Sequence, residues 1–471
     1  MRNIVAYRPL AINYEALPPF ANTKSLLLDG VNDYLDLSTS TGLNFSNDFT
    51  LSAWVKTSAI GANQFIIDAS TSAALGHGYS LRLLTTGAVR FWSYSAGSSI
   101  DSATTLLANT WYHIAATHNR SGLENKIYIN GVLDVSGVSG TFNPTPMDNL
   151  RIGTSVLNPF PFNGNIDEPC FFNRIVTPAE IVTLSTAPAV DLASLNPVAW
   201  YRNGDNGSYK SPQWLIPNNE NKDKVSNYSF NFPGSGQVSL GTVNVGTTNI
   251  TSMWLKRNVV STQQILLGGS SLTFPNHHML IFTGNEFYVR YSSTVWVGWT
   301  LSNVTTPLND TTNWINIVVV RSGNTVNLHL NGGLAIAPNS SAGGAIGALG
   351  TQFTHIGANP NGTFPTNGII NNVAAWDVDS VLPSEIFNGG TPPDLTTLST
   401  APVNWWKMGQ DATFVYNPGG TGDFTIPDQV GANPGTTLNT PIERRVGEAP
   451  NSTNNALSIN MDLVDVVPDT P

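Results

Sequence analysis

The chain has 471 residues, of which 41% are hydrophobic and only 11% charged, against about 25% charged in an ordinary globular chain, and its formal charge is −10. Charge-driven disorder is excluded, because 12 Trp, 13 Tyr and 20 Phe are an apolar load that water would not leave dispersed. With only 21 Lys and Arg and a single cysteine, the composition argues against electrostatic nucleic-acid binding and rules out an intramolecular disulfide framework.

In chain order, Met1–Pro9 lacks a continuous apolar stretch, because Arg8 and Pro9 interrupt it. No apolar run elsewhere is long enough to span a bilayer. The expectation is a protein made in the cytoplasm with no export signal and no membrane partner. Phe49, Leu51, Ala53 and Val55 then alternate with Thr50, Ser52, Trp54 and Lys56, the period of two of a strand. Ile127-Tyr128-Ile129 enters Asn130-Gly131 and leaves through Val132-Leu133, which predicts a type I′ hairpin because both central residues need positive φ. Cys170 reads as a packed core thiol, since free cysteine is usually buried. Thr177-Pro178-Ala179-Glu180-Ile181 is the best helical candidate, a short turn with Pro near its first position.

Further along, the same features return. Ser25–Gly30 is echoed by Ser229–Gly234, Ser52–Lys56 by Ser252–Lys256, and Trp111–Ile114 by Trp314–Ile317. Tyr128–Leu133 becomes His329–Leu334, Arg151–Gly153 becomes His355–Gly357, and Thr177–Ile181 becomes Leu382–Ile386. Six matches in one order, at offsets of 200 to 205 residues, mark two copies of one domain. Many short strands separated by Ser, Thr, Asn and Gly make each copy an all-β sandwich or jelly roll. A connector repeats as well: Asn196–Asp205, containing Trp200-Tyr201, is echoed by Ala401–Asp411, containing Trp405-Trp406. The aromatic pairs predict connectors that pack. Ala456–Asp462 resembles a jelly-roll opening strand with no domain behind it, so it is expected to dock on a neighbouring sheet of the same or another subunit.

Leu28–Tyr34, Phe49–Lys56, Trp111–Ile114, Ile127–Gly131 and Gly164–Glu168 together resemble the laminin-G-like, concanavalin-A-like jelly-roll family. The resemblance implies two tandem jelly-roll sandwiches with aromatic connectors and a C-terminal extension. The divisions are an arm over 1–22, jelly roll 1 over 23–188, a connector over 189–225, jelly roll 2 over 226–390 and a tail over 391–471. In the second copy Pro233 stands at the place of Asp29, and Asn371-Asn372 at that of Asp167-Glu168. The double roll with Trp connectors and the end Pro468–Pro471 also resembles fibre or decoration proteins of tailed phages from aquatic environments.

The sequence offers little catalysis. Members of the family that hydrolyse β-glucans carry acids at alternate positions of one strand, and no such Glu-x-Asp-x-Glu occurs here. Asp167 and Glu168 are adjacent, so on a regular strand they face opposite ways. His277-His278 has no spaced ligand partner and reads as a solvated loop; His113, replaced by Asn316 in the second copy, reads as a structural hydrogen-bonding residue. By the family resemblance, Asp29, Gly30, Asp33 and Asp167 occupy positions that hold a structural calcium between the sheets; the other reading is that Asp29-Gly30 makes a turn. Trp92 with Tyr94, and Trp296 with Trp299, are the best exposed-aromatic candidates for stacking on a glycan, although most Trp, including Trp54, Trp254, Trp111 and Trp314, read as core. The sequence reading is therefore a non-enzymatic virion structural protein at the particle surface. Its expected partners are other virion proteins in a homo-oligomer such as a trimer. A glycan-binding adhesin for host-surface polysaccharide is the alternative, and a carbohydrate-active enzyme the least favoured.

Overall fold

The computed structural model describes residues 22–37, 42–71, 74–93, 99–140, 149–186, 191–210, 213–221, 225–269, 278–281, 286–301, 308–417, 421–438, 440–451 and 455–468. The first copy opens with β1 (Ser25–Asp29), β2 (Tyr34–Asp36), β3 (Phe49–Thr57), β4 (Gln64–Thr71), β5 (Ala74–Leu83), β6 (Ala88–Ser93) and β7 (Ser99–Thr105). It continues with β8 (Tyr112–Asn119), β9 (Glu124–Ile129), β10 (Val132–Val138), β11 (Asn149–Ile152), β12 (Asn163–Phe172) and helix α1 (Pro178–Thr186). Its connector supplies β13 (Ala199–Trp200), β14 (Ser208–Lys210) and β15 (Gln213–Ile216).

The second copy repeats the series as β16 (Ser229–Pro233), β17 (Val238–Gly246), β18 (Thr248–Arg257), β19 (Gln264–Gly268), β20 (His278–Ile281), β21 (Glu286–Arg290) and β22 (Trp296–Thr300). It goes on through β23 (Ile315–Ser322), β24 (Thr325–Leu330), β25 (Ser340–Ala342), β26 (Thr351–Ile356), β27 (Asn367–Trp376) and α2 (Pro383–Phe387). Then come β28 (Asn404–Trp406), β29 (Thr413–Asn417), β30 (Thr421–Ile426), β31 (Gly435–Thr436) and β32 (Arg445–Val446). The last two strands are β33 (Ala456–Ile459) and β34 (Val466–Val467). Among the described residues no helix is long and apolar enough to cross a membrane.

Each copy is two facing sheets. In the first, a helix-side sheet runs β10-β9-β8-β3-β12-β1-β34, with β13 on β12, and an open sheet runs β14-β15-β33-β2-β11-β4-β5-β6-β7. Alternation along the strands builds the core between them: Leu51, Ala53 and Val55 of β3 meet Leu81 of β5 and Phe91 of β6, all fully buried. A second apolar layer, with Cys170, Phe172 and Trp200, lies under Ile181 and Leu184 of α1. That helix is longer than the single turn anticipated. Thr177 and Glu180 cap each other's amides (2.6 and 3.3 Å), Pro178 starts the first turn, and Arg174 grips Glu180 at 2.7 and 2.9 Å. The Asn-Gly hairpins form as expected, with φ of 49° and 82° at Asn130-Gly131 and 50° and 67° at Asn331-Gly332. Gly131 also lets α1 approach, since a β-carbon there would stand 2.4 Å from the Ser185 hydroxyl.

The connectors do pack, and they pack as added strands. In the second copy β28 joins β27, the β29–β30 hairpin with β31 extends the open sheet beside β17, and β32 closes the helix-side sheet beside β16. The first copy has the same additions, but their origin differs. β13, β14 and β15 follow directly, whereas the two closing strands come from the far end of the chain: β33 inserts between β15 and β2, and β34 pairs with β1. The whole second copy is thus inserted between β15 and β33 of the first. The tail docks on its own chain, with Ala456 and Met461 in the first core and the Trp214 indole donating to the Asp462 carbonyl at 2.7 Å.

Candidate functional site

On the outer face of the first copy's open sheet, register aligns a row across five strands: Trp92, Ser80, Asp68, Arg151 and Asp36. These positions face away from the core because their neighbours Phe91, Leu81, Ile67, Ile152 and Leu35 fill it. The middle of the row is recessed: Ser80 and Asp68 are buried, while Trp92, Arg151 and Asp36 are half-buried. Aromatic rings flank it. The Arg82 guanidinium lies between Phe65 and Trp92, 5.6 and 5.4 Å from their centroids, and Arg151 covers Tyr34 at 4.3 Å. Beyond Trp92, Arg90 and Asp101 form a bidentate pair at 2.6 Å. The hydroxyls of Ser70 and Ser80 and the Nε of Arg151 are buried on this face without a protein hydrogen-bond partner. Such atoms favour a polar ligand or water.

Among the described residues the second copy shows no equivalent row. Its register places Gly268, His355 and Ser239 where the first has Asp68, Arg151 and Asp36. Its aromatic pair sits nearer the sheet edge, with Tyr288 edge-on to half-buried Trp296, centroids 5.2 Å apart. Trp299 does not join them. Three residues on from Trp296, it points into the core, fully buried against Phe287, and donates to the Ile336 carbonyl at 2.8 Å. Tyr94 and His277 lie outside the described residues. Of the four tryptophans expected in the core, only Trp254 is buried; Trp54, Trp111 and Trp314 are half-buried.

The four residues proposed for calcium do not converge. Asp29 pairs with Asn163, so Asp167 lies four positions further along β12, roughly 13 Å away. Asp29 makes the turn: one carboxylate oxygen accepts the amides of Val31 and Asn32 at 2.7 and 3.2 Å, and Gly30 has φ 76°. Asp33 is buried beside it and accepts the Asp29 amide at 3.1 Å. Burial, aided by the charges of Asp29 and Asp465, pushes its carboxyl up to about 6. Among the described residues no three His, Cys, Asp or Glu are grouped so as to hold a metal ion.

Asp167 instead belongs to a buried acidic cluster that the sequence pattern did not show. A bulge on β12 interrupts its pairing with β3 between Asp167 and Cys170, and Glu168 takes φ 48°. The regular alternation therefore fails there, and Asp167, Glu168 and Asp205 are within electrostatic reach of one another. Glu168 accepts the Trp200 indole N–H and faces Arg202 at 3.4 Å; Asp167 accepts Asn22 at 2.8 Å; Asp205 accepts the Thr23 amide and hydroxyl at 3.0 and 2.6 Å. Burial pushes Glu168 up to about 8 against the opposing pull of Arg202 and Trp200, and raises Asp167 in the same direction. This cluster ties together the segment before the first strand, the bulge and the connector. His113 is also structural: its Nε2 lies 2.8 Å from the Ser52 hydroxyl, and burial holds its pKa down at about 3. Cys170 is fully buried, which pushes its thiol up and leaves it inert.

A family model described as the concanavalin A-like lectin/glucanases superfamily matches residues 29–182 and again 232–387. No curated protein matches the chain. Similar solved structures include a protein of Bacteroides ovatus ATCC 8483 (21% identity, 42% of this chain and 56% of that one, TM-score 0.35). Others are the CBM40 of the Ruminococcus gnavus IT-sialidase bound to α2,3-sialyllactose (15%, 35% and 100%, 0.31) and mouse laminin α1 domains LG4-5 (13%, 80% and 96%, 0.28). The chain spans a little over half the length of the Bacteroides protein, and at these scores the likeness is one of broad architecture.

Proposed function

The chain belongs to the concanavalin A-like lectin/glucanases superfamily, and from that premise we propose that it is a non-catalytic glycan-binding protein whose first jelly roll holds the sugar on its open sheet. One observation carries this reading: Ser70, Ser80 and Arg151 leave polar atoms without a protein partner on a face bordered by the rings of Trp92 and Tyr34. Sugar hydroxyls would satisfy the polar atoms, and the apolar face of a pyranose would lie against a ring. Acid–base hydrolysis needs two carboxylates acting across the scissile bond, one of them in surroundings that keep it protonated. Asp68 and Asp36 instead flank a guanidinium in register, an arrangement suited to holding hydroxyls. A virion structural role rests on the sequence resemblance, and nothing among the described residues favours it over a glycan-binding module.

The test is a glycan array on the full chain, followed by calorimetry with the best-bound oligosaccharide. Trp92→Ala and Arg151→Ala should each weaken binding by about tenfold or more, since a contact of roughly 1.4 kcal/mol is a factor of ten. His355→Ala, at the equivalent place in the second copy, should leave that binding unchanged. An array with no bound glycan, or release of reducing sugar from the bound one, would overturn the reading.

A further inference from the structure

The second jelly roll carries a cavity of about 600 Å³ at its rim, between the end of β16 and the segment leading into β27. Phe364 lines it with a backbone φ of 51°, a conformation in which a β-carbon crowds the chain. Elsewhere among the described residues this chain gives such positions mostly to glycine and asparagine. Glu168 and Met408 share that backbone but are buried, so packing holds them, and Leu123, 42% exposed, takes it in the turn before β9. Phe364 is 42% exposed and forms part of the cavity wall. The Ile265 amide donates to its carbonyl at 2.8 Å and holds the backbone there.

The other walls suit a sugar. Pro233 and Pro365 add apolar faces, while the Thr262 hydroxyl and the amides of Gln263 and Asn367 supply donors and acceptors. None of the lining side chains is ionisable, so a charged ligand would find no counter-charge. Gly234 keeps the Asn367 amide uncrowded: a β-carbon there would stand 3.2 Å from its nitrogen. The first copy closes the same place differently. Its register sets Asp29 and Asn163 where the second has Pro233 and Asn367. The corresponding ring, Phe160, stacks on Phe65 with 9° between planes, and the second copy has Ile265 at the position of Phe65.

We propose that this cavity binds one neutral pyranose residue, stacked on Phe364 and hydrogen-bonded by Gln263 and Asn367. The site is separate from the open-sheet row of the first roll and stands without it. Saturation-transfer NMR on the full chain carrying Trp92→Ala and Arg151→Ala, with the methyl glycosides of glucose, galactose, mannose and N-acetylglucosamine and with glucuronate as the charged probe, tests it. At least one neutral glycoside should receive saturation, and glucuronate should not. Added to that background, Phe364→Gly should abolish the signal and Asn367→Ala should weaken affinity tenfold or more. Because glycine accepts positive φ without strain, Phe364→Gly should melt at or above the parent Tm, which separates loss of binding from loss of fold. Failure of every neutral glycoside, binding that survives Phe364→Gly, or equal binding of glucuronate would overturn the inference. A lowered Tm in Phe364→Gly would assign the ring to packing instead. A signal present in the parent chain but absent from that background would move the sugar to the first roll's open sheet.

Discussion

In the first copy the bulge on β12 buries Asp167 and Glu168 with Asp205 beside them, whereas the second copy holds Asn371, Asn372 and Gln410 in the same places. The geometry is shared: Asn372 has φ 44° against 48° for Glu168, and the Trp405 indole donates to Asn372 at 2.9 Å as Trp200 does to Glu168. The bulge and the buried indole need an acceptor, and an amide meets that need without charge. The carboxylates add a dependence on Arg202 and on pH that the amides lack. One backbone solution therefore carries two different electrostatic characters.

The largest effect that would break the comparison is loss of the tail. Ending the chain at residue 451 removes β33 and β34, strips Ala456 and Met461 from the first core and exposes the edges of β2 and β15. The first copy should lose on the order of 5 kcal/mol, and the second far less, since it loses only the Asn455 side chain that donates to the Asn227 carbonyl at 2.7 Å. Hydrogen exchange would show this as lost protection in β2 and β15 with β17 and β31 unchanged; unchanged protection throughout would mean the tail is dispensable.

Next in size is the pH response. Glu168 has a folded pKa raised from 4.5 to about 8, so the folded copy keeps a proton that the unfolded chain gives up. Its favourable term is complete below pH 4.5 and is lost as pH rises through about 8. The first copy should thus be less stable at pH 8 than at pH 5, by on the order of a few kcal/mol, with Asp167 acting in the same direction. Glu168→Gln should flatten that slope, and the second copy, with amides, should show none from this place. Exchange rates in β12 compared with β27 across that range would settle it, and parallel slopes would refute the electrostatic account.

A smaller change should follow His113→Asn, which gives the first copy the second copy's residue. The His113 Nδ1 is buried with no partner and the ring is neutral, so the expected cost is about 1 kcal/mol. The smallest effect expected is that of a chelator. Because Asp29, Asp33 and Asp167 do not converge, EDTA should leave the thermal melt of both copies in place.

Much of the fold was legible because its signals are local. The alternation of β3, the Asn-Gly turns and the Trp connectors each depend on a few neighbouring residues, and their recurrence near 200 residues later exposed the tandem rolls. The candidate site was less legible. Trp92 stood out as an aromatic, but Ser80, Asp68, Arg151 and Asp36 come from four other strands, and only register makes them a row. Trp299 misled because spacing by three reverses the face of a strand. Asp167 and Glu168 misled for the converse reason, since a bulge cancels the alternation that the pair was judged by. Phe364 had one faint signal, the Phe-Pro-x-Asn run shared by Phe160–Asn163 and Phe364–Asn367.

By itself, the sequence determined that the chain is two copies of one all-β domain with packed aromatic connectors, because strand period and turn chemistry are written in adjacent residues. It marked Ala456–Asp462 as a strand in want of a partner. Only the tertiary structure decided which sheet takes it, making the second copy an insertion within the first. The backbone donors and acceptors of an unpaired edge are alike on every strand, so the choice of partner falls to the long-range packing of Met461 and Trp214 that no local pattern encodes.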